Sequence, residues 1–599
     1  MLIFKLKQAA SQMILLGLLA SVLTSGTPAQ ATEKENFMDG LANLPALLPV
    51  KSCTDLTGFN YFTEVGAKVI ITQTEQITLD GQDYCAVKGA VEPNIGFEFR
   101  LPMKGWTQRY LQTGCGGLCG ILEIHADHAE GCIPYENHSL VMGSTDMGHQ
   151  GTFMGDGTFG SDPQSRIDFA YRGVHLTALL GKALISNFYG KPATYSYFAG
   201  CSDGGREALM EAQRFPNDFN GISAGAPAMN FQIQNSFYHA WQASSNTDSH
   251  GKAILTAEKL PALHAAVLSA CDGLDGLEDG LIADPRQCKF DPIVIQCKKH
   301  QKDNLTCLSA IQVEVVRKLY VGAHDEQGQR FVVGGPQYGS ELAWRGLFVP
   351  DIANQPIPSK FMALGSLQNL IFEKNPEAGY DLADFHFNVA TFEKLRAMHS
   401  MNDATDPDLS AFAGMGHKLI LWHGWSDQHI SPINSIAYYT AMQKLLGADK
   451  VADFSKLFLF PGMYHCNGGD GVSDFDMLTP LMRWTESDIA PQSVVAKTSY
   501  KMDGPSARPN DIKAQAMNGK PPVKEANAVR NGSDRTRIVF AYPYHAKYKG
   551  SGSINDPANY RAALPRNPEP EAYDWLGAQF MRSGLAKQCS VVDGALQCI

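Results

Sequence analysis

Thr194-Tyr195-Ser196-Tyr197-Phe198-Ala199-Gly200-Cys201-Ser202-Asp203-Gly204-Gly205 begins as a β-prone run, Thr194 to Ala199, and turns at the glycine-rich positions 200–205. A helix-forming stretch from about Arg206 to Arg214 follows. Strand, turn and helix in that order form the repeating unit of a parallel α/β sheet. Gly200-Cys201-Ser202-Asp203-Gly204 also fits the G-x-S-x-G turn that lifts a serine out at the end of a strand. Glycine is needed there because the serine's backbone is strained and the helix packs closely on the strand. Such strings also arise by chance, and a glycine-rich turn with an exposed serine reads the same way. The flanking strand and helix supply the context that the turn requires.

Outward from this unit the same texture recurs. Val69-Ile70-Ile71 and Gly96-Phe97-Glu98-Phe99-Arg100 are β-prone, the second with clear alternation. Arg109-Tyr110-Leu111-Gln112 runs into a second glycine-rich turn, Gly114-Cys115-Gly116-Gly117, and Arg166 to Phe188 has helical periodicity. Between 229 and 407 the texture changes to loops, helices, four cysteines and many aromatics, without strand–helix alternation. Lys418-Leu419-Ile420-Leu421-Trp422 and Leu457-Phe458-Leu459-Phe460 then read as buried strands. The economical organisation is one α/β domain, 32–228 and 408–565, split by an inserted lid at 229–407. The lid would lie over the carboxyl edge of the sheet, where α/β sites are found. A polar stretch from about Lys501 to Arg535 reads as loose surface, and 566–599 as a C-terminal extension.

A serine hydroxyl is a poor nucleophile without a base, and the base needs an acid to orient it. In a sheet of this type the order along the chain is Ser, then Asp or Glu, then His, with the later two in loops just after strands. Asp427 ends His423-Gly424-Trp425-Ser426-Asp427, and His465 lies in Pro461-Gly462-Met463-Tyr464-His465-Cys466. His423 and His429 compete as base. His423 precedes the acid and is too near the strand end, and His429 would put acid and base two residues apart in one loop. Cys201 precedes Ser202, and Cys466 follows His465. A Cys201–Cys466 disulfide would hold their Cα atoms about 5.5–6 Å apart and make neighbours of two distant loops. The alternative is that each pairs elsewhere or stays a buried thiol. Acyl transfer also needs donors for an oxyanion. The Asp203 N–H is one candidate, and the turn 114–117, otherwise a plain tight turn, is the best source of another.

Bulk properties set the surroundings. Lys5 and Lys7, the apolar run Met13 to Leu23 and Ala29-Gln30-Ala31 read as an export signal over residues 1–31, with cleavage after about Ala31. The mature protein is then secreted or periplasmic. The apolar run is short for a membrane anchor. The formal charge of −11 argues against nucleic acid or an anionic membrane surface as main partner. Thirteen cysteines without zinc-ligand spacing read as disulfides with at least one thiol left over. Cys271-Asp272-Gly273-Leu274-Asp275-Gly276-Leu277-Glu278-Asp279-Gly280-Leu281 sets three aspartates among glycines. That suits a hard cation such as calcium, and reads otherwise as a solvated acidic turn. Cys271 and Cys288 bracket this loop and are placed to staple it.

The elbow at 200–205, the segment Trp422 to Asp427 and the segment Pro461 to Cys466 together resemble the tannase and feruloyl esterase family, over about residues 50–565. The resemblance implies an α/β-hydrolase fold with a large lid. It implies Ser202, Asp427 and His465 as the triad and a Cys201–Cys466 bridge between nucleophile and base loops. It implies Gly117 and Asp203 as backbone oxyanion donors. It also implies structural Ca2+ bound by the carboxylates of Asp272, Asp275 and Asp279 and the carbonyls of Leu277 and Leu281. Cys53–Cys85, Cys271–Cys288 and Cys297–Cys307 are the further disulfides implied. Cys589 and Cys598 lie beyond the family's span and are expected to pair with each other, as Cys119 is with Cys132. The arginine with which a terephthalate-monoester member holds its carboxylate aligns near Ser359, beside Lys360. The expected activity is therefore hydrolysis of small aromatic esters, feruloyl or galloyl, derived from plant cell wall or tannin. Trp344 and Phe372 are chosen among the lid aromatics as pocket residues. The alternatives are another carboxylesterase, terephthalate-monoester-type or lipase-like, and a non-catalytic binding protein on this scaffold.

Overall fold

The strand–turn–helix unit at 194–214 lies near the middle of a nine-stranded mixed sheet. In the computed structural model, residues 40–151, 155–299, 301, 304–498, 535–565 and 575–599 are described. The expected export signal at 1–31 and nearly all of the polar stretch 501–535 lie outside them. The strands are β1 (Val69–Leu79), β2 (Gln82–Val91), β3 (Ile95–Pro102), β4 (Arg109–Thr113), β5 (Leu140–Thr145), β6 (Tyr195–Cys201), β7 (Gly221–Gly225), β8 (Lys418–Gly424) and β9 (Ser455–Phe460). Their order across the sheet is β1-β2-β3-β5-β4-β6-β7-β8-β9. The first three strands pair antiparallel, as β3 does with β5, and every later pair is parallel. The β1–β2 hairpin turns at Asp80-Gly81, both with positive φ (49° and 80°), which matches the twist of the paired strands.

The parallel strands are buried on both faces. Alternate residues serve opposite layers: Tyr110, Phe198, Ile222, Leu419 and Leu421 join one apolar cluster, and Leu111, Tyr197, Ile420 and Trp422 the other. This double coverage is why these segments read as continuous apolar runs and not as alternating ones. The helix Gly173–Tyr189 covers the first face. The helix Leu478–Ser487 covers the second, and its Glu486 forms a buried ion pair with Arg109 at 2.7 Å.

Residues 226–417 leave the sheet between β7 and β8. Part of this insertion has its own core, with Leu255, Leu263, Val313, Val316, Trp344 and Phe348 in one cluster. Phe231, Phe237, Phe331, Phe385 and Phe392 join the core of the sheet domain instead. The C-terminal segment packs here as well: Phe580 stacks on Phe392 and on His399, and its carbonyl accepts from Thr405 Oγ1. The last residues form the hairpin Cys589–Val592 with Ala595–Cys598, closed by Cys589–Cys598. Among the described residues no helix is long and apolar enough to cross a membrane.

Candidate active site

β6 delivers Ser202 into a sharp turn. Its backbone is at φ 65°, ψ −117°, a conformation costly for a non-glycine residue and held here by its surroundings. The Ser202 N–H donates to the Gly225 carbonyl, and the Ser202 carbonyl accepts from Arg206 and Ala228. The glycines around it are required by contact. A Cβ on Gly200 would lie 2.6 Å from the Gly204 backbone, and one on Gly205 would lie 2.3 Å from the Gly225 oxygen. The helix Asp203–Arg214 therefore seats directly against β6 and β7. Asp203 itself pairs with Arg206 inside the protein, at 2.7 and 3.0 Å.

Asp427 and His465 meet beyond β8 and β9. His465 Nδ1 lies 2.7 Å from Asp427 Oδ2. A carboxylate only accepts, so Nδ1 carries the proton and Nε2 is left as the basic nitrogen. Asp427 is fully buried and receives three more donors: the N–H groups of His429 and Ile430 and the Nε2–H of His423. Burial alone would raise its pKa. The charge of His465 and the hydrogen bonds from His423 and His465 outweigh burial and hold the carboxyl well below its ordinary range. His423, one of the competing histidines, thus lies on the far side of the acid, buried between Asp427, Ile430 and Ser435. The His429 ring lies tilted at 41° with its centroid 4.7 Å from that of His465, and burial, with His465 adding to it, pushes its pKa well down.

The loops of Ser202 and His465 are joined by Cys201–Cys466, whose Cα atoms are 5.9 Å apart across 265 residues of sequence. The Cys466 carbonyl also accepts from Nε2 of the buried His128, whose ring stacks on Phe475. Sequence reasoning passed over His128, and nothing around Ala126-Asp127-His128 marks it, because its role is to hold another residue's backbone. Gln428 is similar: its Oε1 accepts the His465 N–H.

The turn after β4 approaches the elbow. Gly114 donates to the Ala199 carbonyl, and a Cβ on it would lie 2.6 Å from Gly204 Cα. Here one expectation is corrected. Cys119 pairs with Cys115, four residues away, and not with Cys132. Cys132 is a free thiol buried against Met482, on the other face of the sheet. The remaining disulfides are Cys53–Cys85, Cys271–Cys288 and Cys297–Cys307.

From the insertion, a neutral polar cluster packs on the acid loop. Gln242 Nε2 donates to the Gln428 carbonyl at 3.2 Å, and Gln234 to that of His429. Ser359, fully buried, donates to Gln242 Oε1 at 3.1 Å and lies 3.4 Å from His239 Nδ1. Burial lowers the His239 pKa to about 4, so the ring is uncharged at neutral pH. Lys360 turns away to Asp381. Trp344 is fully buried against Tyr320 and Phe348, with Nε1 donating to Ser340. Phe372 lies against Tyr380, and its carbonyl accepts from Arg166. Among the described contacts, neither aromatic touches Ser202, Asp427 or His465.

The acidic loop forms a tight knot. Asp272–Asp275 is one 3-10 turn, and Gly276 and Gly280 have positive φ. Asp272 accepts from Asp279 and Gly280, Asp275 from Leu277, and Asp279 from Leu281 and Arg537. Burial pushes the Asp275 pKa up to about 7 against its bond from Leu277, and Asp279 and Asp272 add to the rise. Carboxylates are hard oxygen donors, but among the described residues these three do not form one converging cluster, and Asp279 is paired with Arg537. Leu281 also abuts the base loop, because a Cβ on Gly462 would lie 2.6 Å from its side chain.

A sheet of this order, with its elbow near the centre, defines the α/β-hydrolase class. Comparison with known proteins narrows it. Residues 79–563 match the family model for tannase and feruloyl esterase. The chain belongs to that family and is a carboxylic ester hydrolase. It is 31% identical to an uncharacterized esterase of Xanthomonas campestris pv. campestris, over 87% of this chain and 93% of that one. It is 30% identical to the mono(2-hydroxyethyl) terephthalate hydrolase of Piscinibacter sakaiensis, over 81% and 85%. Among solved structures, feruloyl esterase B from Aspergillus oryzae superposes with a TM-score of 0.69 at 24% identity, covering 83% of this chain and 97% of that one.

Proposed function

We propose that this chain is an exported serine esterase that cleaves esters of phenolic acids such as ferulic or gallic acid. The observation that carries the chemistry is the pairing of Asp427 with His465 Nδ1, in a loop bridged by Cys201–Cys466 to the strained Ser202 turn. His465 Nε2 takes the Ser202 proton as the hydroxyl oxygen attacks the ester carbonyl. The N–H groups of Gly117 and Asp203 hold the oxyanion while Asp427 orients and stabilises the imidazolium. Collapse expels the alcohol, protonated by His465. Water, deprotonated by the same imidazole, then releases the acid and restores Ser202.

The neutral cluster of His239, Ser359 and Gln242 supports an acyl group that carries hydroxyls over one that carries a carboxylate, because no described cation joins it. A probable feruloyl esterase B-2 of Aspergillus flavus, 32% identical over 71% of this chain, supports the phenolic class. Six disulfides support an oxidising compartment, and with it the export signal at 1–31. Asp272, Asp275 and Asp279, with the carbonyls of Leu277 and Leu281, would hold Ca2+, which would brace the loop that carries Leu281 onto the base loop. Its role is structural. The domain bounds proposed are 32–228 and 408–565 for the hydrolase and 229–407 for the lid.

The test is turnover of methyl ferulate, methyl gallate, a 4-nitrophenyl ester series and a terephthalate monoester by wild type and S202A. The expected result is preference for a phenolic ester and a loss of at least about 10⁴-fold in kcat for S202A. Undiminished turnover by S202A refutes the mechanism, and preference for the terephthalate monoester refutes the substrate class.

A further inference from the structure

The turn that carries Gly117 is held from beneath by a residue that the mechanism does not use. Glu207 lies five residues past Ser202, on the helix Asp203–Arg214, and is fully buried. Its Oε1 accepts the backbone N–H of Cys115 at 3.0 Å, and its Oε2 has no partner among the described residues. Burial, with the Asp203 carboxylate beside it, pushes its pKa well above the ordinary glutamate value. That shift favours the protonated acid over a carboxylate at this place beneath the turn.

Leucine or methionine would fill such a site without desolvating a carboxyl. What the acid provides is an acceptor for one particular N–H, one residue beyond the Gly114 bond to Ala199 and the Gly114–Gly204 contact that begin the turn. The Cys115–Cys119 bridge closes a small ring around Gly116, Gly117 and Leu118. Within the ring, the Cys119 N–H donates to the Gly116 carbonyl, and Gly117 and Cys119 have φ of 63° and 60°. His149 holds the outer side through the Leu118 carbonyl at 2.8 Å. Among the described residues the Gly117 N–H donates to no protein group, so it is available to a ligand. Glu207 sits on the helix that starts directly after Ser202, and this hydrogen bond ties the turn to that helix.

We propose that Glu207 is a positioning residue for acyl transfer: together with the Cys115–Cys119 bridge it fixes the 114–119 turn in the register that aims the Gly117 N–H at the carbonyl attacked by Ser202. This rests on the reading of Ser202 as nucleophile and Gly117 as oxyanion donor. Removing one such donor costs about 10²–10³-fold in rate, so misaiming it should cost less, about 10–100-fold.

The experiment compares E207Q, E207L and C115A/C119A with wild type in the full chain. It measures kcat, KM, inhibition by an aryl boronic acid that forms a tetrahedral adduct, and the thermal midpoint. The amide of E207Q keeps an acceptor oxygen, so its kcat should stay within about threefold of wild type. E207L should lose about 10–100-fold in kcat with KM within about threefold, and should weaken boronate binding by a comparable factor. C115A/C119A should lose about tenfold in kcat and bind boronate correspondingly more weakly. E207L with wild-type kcat overturns the proposal, as does E207Q impaired as severely as E207L. If E207L does not fold, E207Q and the double cysteine variant decide: unimpaired boronate binding by the latter overturns the proposal. If S202A turns over ester as wild type does, the underlying reading fails before Glu207 is in question. If only the Glu207 and cysteine variants are silent, this inference fails alone.

Discussion

Removal of the bridge between the loops of Ser202 and His465, in C201A/C466A, has a calculable cost. The bridge spans 265 residues. In the chain-entropy model a closed loop of that length is worth about 5.6 kcal/mol at 25 °C. The two shorter bridges inside it, spanning 17 and 10 residues, shorten the free loop by under about a tenth and change this by only about 0.1 kcal/mol. Unfolding entropy near about 2.1 cal/mol/K per residue gives about 1.2 kcal/mol/K for the unit Gly40–Ile599. The expected fall in the thermal midpoint is therefore about 5 °C. Activity at 25 °C reports something separate. The His128 bond to the Cys466 carbonyl and the Asp427–His465 bond remain, so the base loop stays in place but is held less tightly. A loss of about tenfold in kcat with little change in KM is expected. Scanning calorimetry and ester kinetics on wild type and variant check both. A midpoint within about 1 °C of wild type together with unchanged kcat would refute the view that the bridge clamps the site.

Two further outcomes follow from the insertion. His239 has a folded pKa of about 4 against an ordinary 6.5. As pH falls through 6.5 the unfolded chain takes up a proton that the folded one refuses, so stability drops until pH passes 4 and is level below that. This group alone should remove about 3 kcal/mol between pH 7 and pH 4. Urea unfolding at the two pH values should show H239N losing less than wild type, and equal losses would sink the argument. Calcium at about a hundred times its Kd should add about 2.7 kcal/mol, a rise of about 2 °C in the midpoint of chelator-treated protein. D275A should show no response, and a full response there would remove Asp275 from the site.

The elbow and both later loops were legible because the chemistry forces rare residue types into fixed places beside strong strands. β7 was not legible. Gly221-Ile222-Ser223-Ala224-Gly225 has almost no strand formers, yet it is an interior strand between β6 and β8. Its glycines make room for aromatic neighbours: a Cβ on Gly225 would lie 2.0 Å from the Trp422 ring, and one on Gly221 would lie 2.8 Å from Tyr197. Tertiary packing decides such a strand, and local propensity misleads. β5, Leu140–Thr145, is hidden for the related reason that Gly143 yields to Phe99. Cysteine spacing fared unevenly. Bridges that bracket a recognisable loop could be read, whereas the Cys115–Cys119 ring depends on two residues with positive φ that no pattern announces. The supports of the His465 loop, His128 and Gln428, act on backbone atoms and carry no motif.

Two contacts fasten the insertion to the loops that follow β8 and β9. Leu281 fills the space over Gly462, and the Ser426 hydroxyl donates to the Gly339 carbonyl at 3.1 Å. On the proposed mechanism these fastenings lie beside Asp427 and His465, so any displacement of the insertion at Leu281 or Gly339 would be felt in the loops that hold that pair.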